Sequence, residues 1–226
     1  MSAAKLHEEI VCAGFGGQGI MFFGKLLAQA AMVQGLNVTY LPSYGAEVRG
    51  GTAHCNVIIS SDEIASPIVG RPTSVIVMNH PSLVKFEERV RPGGLLIVNT
   101  SLALSSASRE DIVIIGVPAT EMADSLGTVQ VANMVALGCY LQRKPVVAFS
   151  VVLESLTEVL PKRRHDLLRL NQAALRKGAE FVAQQEKAAP ARIGVQTLLE
   201  RKTPSRARGG INVHSQGRQE SVDRRR

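Results

Sequence analysis

The 226-residue chain has no run of 18 or more apolar residues, and its start, Met1-Ser2-Ala3-Ala4-Lys5, lacks an apolar signal region. Neither a membrane span nor export is expected, so the chain reads as cytoplasmic. Its three cysteines, Cys12, Cys55 and Cys139, are widely spaced and form no C-x-x-C pair. They fit buried structural thiols, and their spacing excludes an iron–sulfur cluster held by this chain alone. Most of the chain also lacks excess charge. Residues 1–186 carry 16 Lys and Arg against 16 Asp and Glu, residues 187–226 carry 10 against 3, and the net +7 therefore belongs to the tail. The balanced part has no basic face, and nucleic acid is not an expected partner. The tail, from Ala188-Ala189-Pro190 to Arg224-Arg225-Arg226, is rich in Arg, Gly, Ser and Gln without a sustained apolar period, and it reads as disordered. Such a segment can touch nucleic acid or an acidic partner weakly, but a solvated appendage is the preferred reading. No internal repeat is visible.

Residues 1–186 have what a folded domain needs, and the whole chain is 45% hydrophobic and 20% charged. A short apolar run, Ile10-Val11-Cys12-Ala13, breaks into Gly14-Phe15-Gly16-Gly17-Gln18-Gly19 and then into an amphipathic segment, Ile20 to Gln34. This is strand, glycine turn and helix start. Glycines there let the turn close, let a phosphate or another backbone approach, and let the helix pack on the strand. The first helical amides then favour an anion over the loop. A Rossmann NAD site also needs an acidic residue about 20 positions on, at the end of the second strand. The second strand, Asn37-Val38-Thr39-Tyr40-Leu41, runs into Pro42-Ser43-Tyr44-Gly45 with no carboxylate, so NAD(P) is not expected. The turn serves a phosphate or a partner chain instead.

Beyond it the chain alternates strand and helix in the manner of an open, mostly parallel α/β sheet of Rossmann type with helices on both faces. Thr52 to Ser60 reads as a strand joined at Ser61-Asp62 to a short partner near Glu63-Ile64-Ala65, a β-hairpin inserted into the parallel order. Ser74 to Asn79, Leu95 to Val98 and Ile112 to Val117 read as buried strands. His80-Pro81-Ser82 opens a helix that turns Leu83, Phe86 and Val90 inward. Pro118-Ala119-Thr120 caps a helix from Glu121, and Val129 to Leu141, Val151 to Leu160 and His165 to Gln185 are helical.

A second loop, Ser43-Tyr44-Gly45-Ala46-Glu47-Val48-Arg49-Gly50-Gly51, sets three glycines, a carboxylate and an arginine between two strands. A glycine-rich backbone with one Arg suits close approach to an anionic group clamped bidentately. Glu47 and Arg49 equally suit an ion pair or contacts to a neighbouring subunit, and a site at a subunit interface satisfies both. The candidate binding residues are therefore Gly14, Gly16, Gly17, Gln18, Gly19, Glu47, Arg49, Gly50 and Gly51. No catalytic residue and no metal ligand is assigned.

The segments Ala13 to Ile20, Ser43 to Val57, and Val117-Pro118-Ala119-Thr120-Glu121 through Val131-Ala132-Asn133-Met134 resemble the gamma subunit of 2-oxoacid:ferredoxin oxidoreductases, over about Ile10 to Glu186. The order Ser-Tyr-Gly-x-Glu-x-Arg-Gly-Gly-Thr is most similar to subunits of the 2-oxoglutarate and branched-chain type, and less to the beta subunit of indolepyruvate oxidoreductase. The resemblance implies a catalytic domain of gamma type over residues 1–186, followed by the Arg-rich tail. It implies a complex in which a 2-oxoacid and coenzyme A give acyl-CoA, carbon dioxide and two electrons for ferredoxin. Thiamine diphosphate, Mg2+ and iron–sulfur clusters are then expected in alpha, beta and ferredoxin-like delta subunits, with no cofactor bound by this chain alone. The chain has no thiamine Gly-Asp-Gly motif and is not expected to be active alone. It departs from the family in its tail and in Ala46, where relatives often have Pro. The alternatives are a free-standing nucleotide-binding regulatory domain or the beta subunit of an indolepyruvate oxidoreductase.

Among single residues, Gln18 suits either an anionic ligand or capping of the loop. His54 reads as a packed or interface histidine, since no nucleophile or carboxylate stands at a recognisable spacing. His80 reads as a helix-entry residue, and Asn133 in an apolar helix asks for a buried hydrogen-bond partner.

Overall fold

A computed structural model describes residues 5–43, 52–103 and 107–188, Thr52 by its backbone alone. The apolar run after Lys5 extends into β1 (His7–Phe15), and the glycine turn leads into α1 (Ile20–Val33). There follow β2 (Asn37–Ser43), β3 (Thr52–Ser60), β4 (Ser74–Val77), α2 (His80–Phe86), β5 (Leu95–Asn99) and β6 (Val113–Val117). Four more helices complete the described chain: α3 (Ala119–Asp124), α4 (Ala132–Arg143), α5 (Phe149–Val159) and α6 (Leu168–Ala188).

The strands form one six-stranded sheet in the order β2-β3-β1-β4-β5-β6. β1, β4, β5 and β6 are parallel, and β3 is antiparallel to both β1 and β2. The inserted hairpin is thus β2–β3, and β3 is the strand that breaks the parallel order. The short strand expected near Glu63-Ile64-Ala65 is absent, since residues 61–73 hold no strand. The reason is geometric: β1 occupies one edge of β3 along Thr52–Ser60 and β2 occupies the other, so no edge is free for a third partner.

Two cores lie on the two faces. On one face Ile10, Cys12, Cys55, Val57, Ile76 and Ile97 pack under α1 and α4, with α5 and α6 contributing Val152, Leu156, Leu175 and Val182. On the other, Val11, Ala13, Val75, Val77, Leu96 and Val98 meet Leu83 and Phe86 of α2 and Val90 beyond it. The alternation of these sets along β1 is the period of 2 that a two-sided sheet requires. β6 departs from the expected buried strand. Val113 to Gly116 are only partly covered, because β6 is the sheet's edge. α4 and α6 cross at two glycines: a Cβ on Gly138 would strike Leu175 O, and one on Gly178 would strike Val135 O. All three cysteines are buried, and Cys12 faces Cys55 across the β1–β3 pair. Burial pushes the Cys139 thiol up to about 12.

Candidate functional site

The turn between β1 and α1 stands at the carboxyl ends of the parallel strands, the side where open α/β sheets bind ligands. Gly17 and Gly19 hold φ of +93° and +73°, a left-handed region that costs a side chain about 1–2 kcal/mol. Gly19 precedes the helix, and α1 has neither a side-chain cap nor an acidic residue in its first turn. Its first amides have no carbonyl one turn back to bond, so they carry the positive end of the helix dipole into the loop. Gly16 has open space where a Cβ would stand and so leaves room above the turn. At Gly14 a Cβ would lie 2.7 Å from Gln18 Oε1, so its absence makes room for that side chain.

Gln18 is committed to the loop. Its Oε1 accepts from the Phe15 amide at 2.7 Å and from Asn79 Nδ2 at 3.0 Å, and its Nε2 donates to Met78 O at 3.3 Å. This is the capping reading of Gln18. Asn79, in turn, accepts from the Ser82 amide at 2.9 Å and caps α2. Asn99 Nδ2 donates to Met78 O at 3.2 Å and to Thr120 Oγ1 at 2.9 Å, tying the ends of β4 and β5 to the start of α3. Asn79 and Asn99 are buried. Sequence reasoning missed this amide network. Its signal is an Asn directly after each of two apolar runs, Val75 to Met78 and Leu95 to Val98, and Thr120 after β6.

The partner that Asn133 requires is the turn itself: its Nδ2 donates to Gly19 O at 3.0 Å. The approach is so close that a Cβ on Gly19 would overlap Asn133 Nδ2. Beside the turn lies a cavity of about 260 Å³, floored by Gly16, Gly17 and Gly19 and walled by Phe15, Ile20, Met21, Phe22 and Ala53. These walls are mostly apolar. The arrangement therefore suits a ligand or chain segment that offers an anionic group to the helix start and an apolar body to the walls.

Of the candidate site residues, Glu47, Arg49, Gly50 and Gly51 lie outside the described residues. The ends of their loop are described. Ser43 pairs with His54, and Thr52 pairs with Phe15, so both ends of the loop stand at the end of the sheet that carries the glycine turn. His54 packs 5.1 Å from the Phe86 ring on the other face. Burial, with the charges of Lys85 and Arg89, holds its pKa below the ordinary 6.5, so it is a neutral packed histidine. His80 opens α2 as its first residue.

Among the described residues no group of three His, Cys, Asp or Glu side chains is placed to hold a metal ion. No helix among them is long and apolar enough to cross a membrane.

The profile of the pyruvate ferredoxin/flavodoxin oxidoreductase family matches residues 9–181. The chain belongs to this family. Within it, the chain is 31% identical over 189 residues to the 2-oxoglutarate synthase subunit KorC of Methanothermobacter marburgensis, covering 80% of this chain and 100% of that one. It is 44% identical over 126 residues to the ketoisovalerate oxidoreductase subunit VorA of the same organism, a match that covers 56% of this chain and 26% of VorA. The chain thus spans about a quarter of the length of that longer relative. Among solved structures, the gamma subunit of a keto/oxoacid ferredoxin oxidoreductase from Geobacter sulfurreducens superposes with a TM-score of 0.68 at 26% identity. That match covers 78% of this chain and 99% of the other. The mixed sheet of this family member is thus shared with a relative of known structure.

Proposed function

We propose that this family member is the gamma-type subunit of a 2-oxoacid:ferredoxin oxidoreductase that converts a 2-oxoacid and coenzyme A to acyl-CoA and carbon dioxide and passes the electrons to ferredoxin. What carries the reading is the likeness to KorC, which runs the full length of that relative. It favours 2-oxoglutarate as substrate. A branched-chain 2-oxoacid is the second reading, because identity to VorA is higher over a shorter stretch. The proposed complex is cytoplasmic and joins this chain to alpha and beta subunits and a ferredoxin-like delta subunit.

Thiamine diphosphate, Mg2+ and the iron–sulfur clusters are assigned to those partners. The donor set of this chain does not fit a cluster: Cys12 and Cys55 face each other inside the core, and Cys139 donates to Gly178 O at 3.1 Å. When bound in the partners, the thiamine supplies carbanion stabilisation and the clusters accept electrons. This chain contributes binding and orientation. The open amides of α1 and the glycine floor receive an anionic part of coenzyme A, and Arg49, with Glu47, Gly50 and Gly51, contributes to binding the same ligand.

Two measurements test this. The isolated chain is expected to be colourless and unable to reduce a dye with 2-oxoacid and coenzyme A, while the assembled complex does so; activity of the chain alone refutes the reading. Arg49→Ala is expected to raise the KM for coenzyme A about ten- to a hundredfold, the worth of one charge-assisted contact. An Arg49→Ala complex with unchanged kinetics for coenzyme A and 2-oxoacid removes Arg49 from the site.

A further inference from the structure

Residues 1–186 are charge-balanced, yet three consecutive cations, Lys162, Arg163 and Arg164, stand exposed on the 3-10 turn Lys162–Leu167. Among the described residues none of the three forms an ion pair, although Asp166 stands in the same turn. Arg164 Nη2 donates to Gln130 Oε1 at 3.3 Å. Gln130 belongs to the 3-10 turn Val129–Val131, which runs directly into α4, where Asn133 bonds Gly19 O at 3.0 Å. The contacts Arg164–Gln130 and Asn133–Gly19 therefore bring the basic turn to the ligand end of the sheet. Gln130 lies about one helical turn, some 5 Å of rise, before Asn133 in the chain.

We propose that Lys162, Arg163 and Arg164 bind the 3′-phosphate of coenzyme A while the start of α1 receives its diphosphate. This rests on the proposed function. The chemistry is that of a ligand with two anionic groups on one adenosine end. A helix start offers partial charge and backbone donors for one of them, and full charges are needed for the dianionic phosphate monoester. Gln130 fixes one guanidinium and leaves its remaining donors for the ligand.

The test compares coenzyme A with dephospho-coenzyme A, which lacks the 3′-phosphate, in the assembled complex. The wild-type complex is expected to show a KM for coenzyme A at least about tenfold below that for the dephospho form. In Lys162→Ala/Arg163→Ala/Arg164→Ala this ratio collapses towards one, through a rise in the KM for coenzyme A. If the triple variant fails to assemble, Lys162→Gln/Arg163→Gln keeps the Arg164–Gln130 bond, and at least half the effect on a logarithmic scale is expected. An unchanged ratio in the variants overturns the proposal, as does an equal rise in both KM values, which marks a structural role. A wild-type complex that needs coenzyme A but does not discriminate the two forms refutes the basic turn alone. One that turns over 2-oxoacid without coenzyme A refutes the proposed function with it.

Discussion

Gly19 is where backbone, packing and site meet, and Gly19→Ala separates their contributions. A methyl group there meets two penalties. The first is the left-handed φ of +73°, about 1–2 kcal/mol for alanine. The second is overlap with Asn133 Nδ2. Asn133 is only 3% exposed and its short side chain has little room to retreat, so its amide must leave Gly19 O and stay buried without that partner. This adds about 1–3 kcal/mol. The total, about 2–5 kcal/mol, should lower Tm by roughly 5–15 °C in a domain of this size. Asn133→Ala alone should cost only about 1 kcal/mol, because Gly19 O still accepts from the Phe23 amide at 2.9 Å. In the Asn133→Ala background, Gly19→Ala should therefore keep only its backbone penalty, and the double variant should be more stable than the sum of the singles predicts by about 1–3 kcal/mol. Urea unfolding of the four proteins measures this. Additivity within about 0.5 kcal/mol would show that Asn133 and the turn are not energetically coupled, and the packing argument would fail.

Lys144→Met should destabilise by about 2–4 kcal/mol in urea unfolding, because it leaves the Glu8 carboxylate, 7% exposed, without the ammonium that bonds both its oxygens at 2.7 and 2.9 Å. Adding Glu8→Gln should recover part of that loss; no recovery would mean that Lys144 acts through its packing. His54 has its pKa lowered by burial and by Lys85 and Arg89, so below the ordinary 6.5 the unfolded chain binds the proton more readily and stability falls as the pH drops. His54→Gln should flatten that part of the stability profile between pH 7.5 and the acid side, and an unchanged slope would assign it to other groups. The buried thiols should resist iodoacetamide at pH 8 in the native protein and react only in urea, since burial pushes Cys139 to about 12 and Cys12 upward as well. Rapid native labelling at any of them would contradict the packing of the core.

The sheet and its glycine turn were legible in the residues because both write local signals: apolar runs of strand length, and glycines at a strand-to-helix junction. The strand partnering was less so. β3 reads as half of a hairpin, but which strands flank it depends on contacts between residues more than 40 positions apart, such as Cys12 with Cys55. Glu63-Ile64-Ala65 forms no strand because both sides of β3 are already taken, by β1 and by β2. The site divides in the same way. Gly17 and Gly19 announce their positive φ by being glycine, and Asn133 announced a buried partner by being polar in an apolar helix. Asn79, Asn99 and Thr120 carry no such contrast singly, because an Asn after a strand is ordinary turn chemistry. Only their convergence on Gln18 and Met78 O makes them a network.

That convergence bears on how a turn of four small or polar residues can serve as a binding surface at all. Three glycines in four positions would leave the backbone entropically costly to order. Gln18 holds the turn from within, Asn79 ties it to the junction of β4 and α2, and Asn133 holds Gly19 from α4. Each uses a neutral amide, so the loop is fixed without a carboxylate that would cancel the positive end of α1. For the proposed coenzyme A site, such neutral struts leave the positive end of α1 uncancelled, and full charges are left to separate elements.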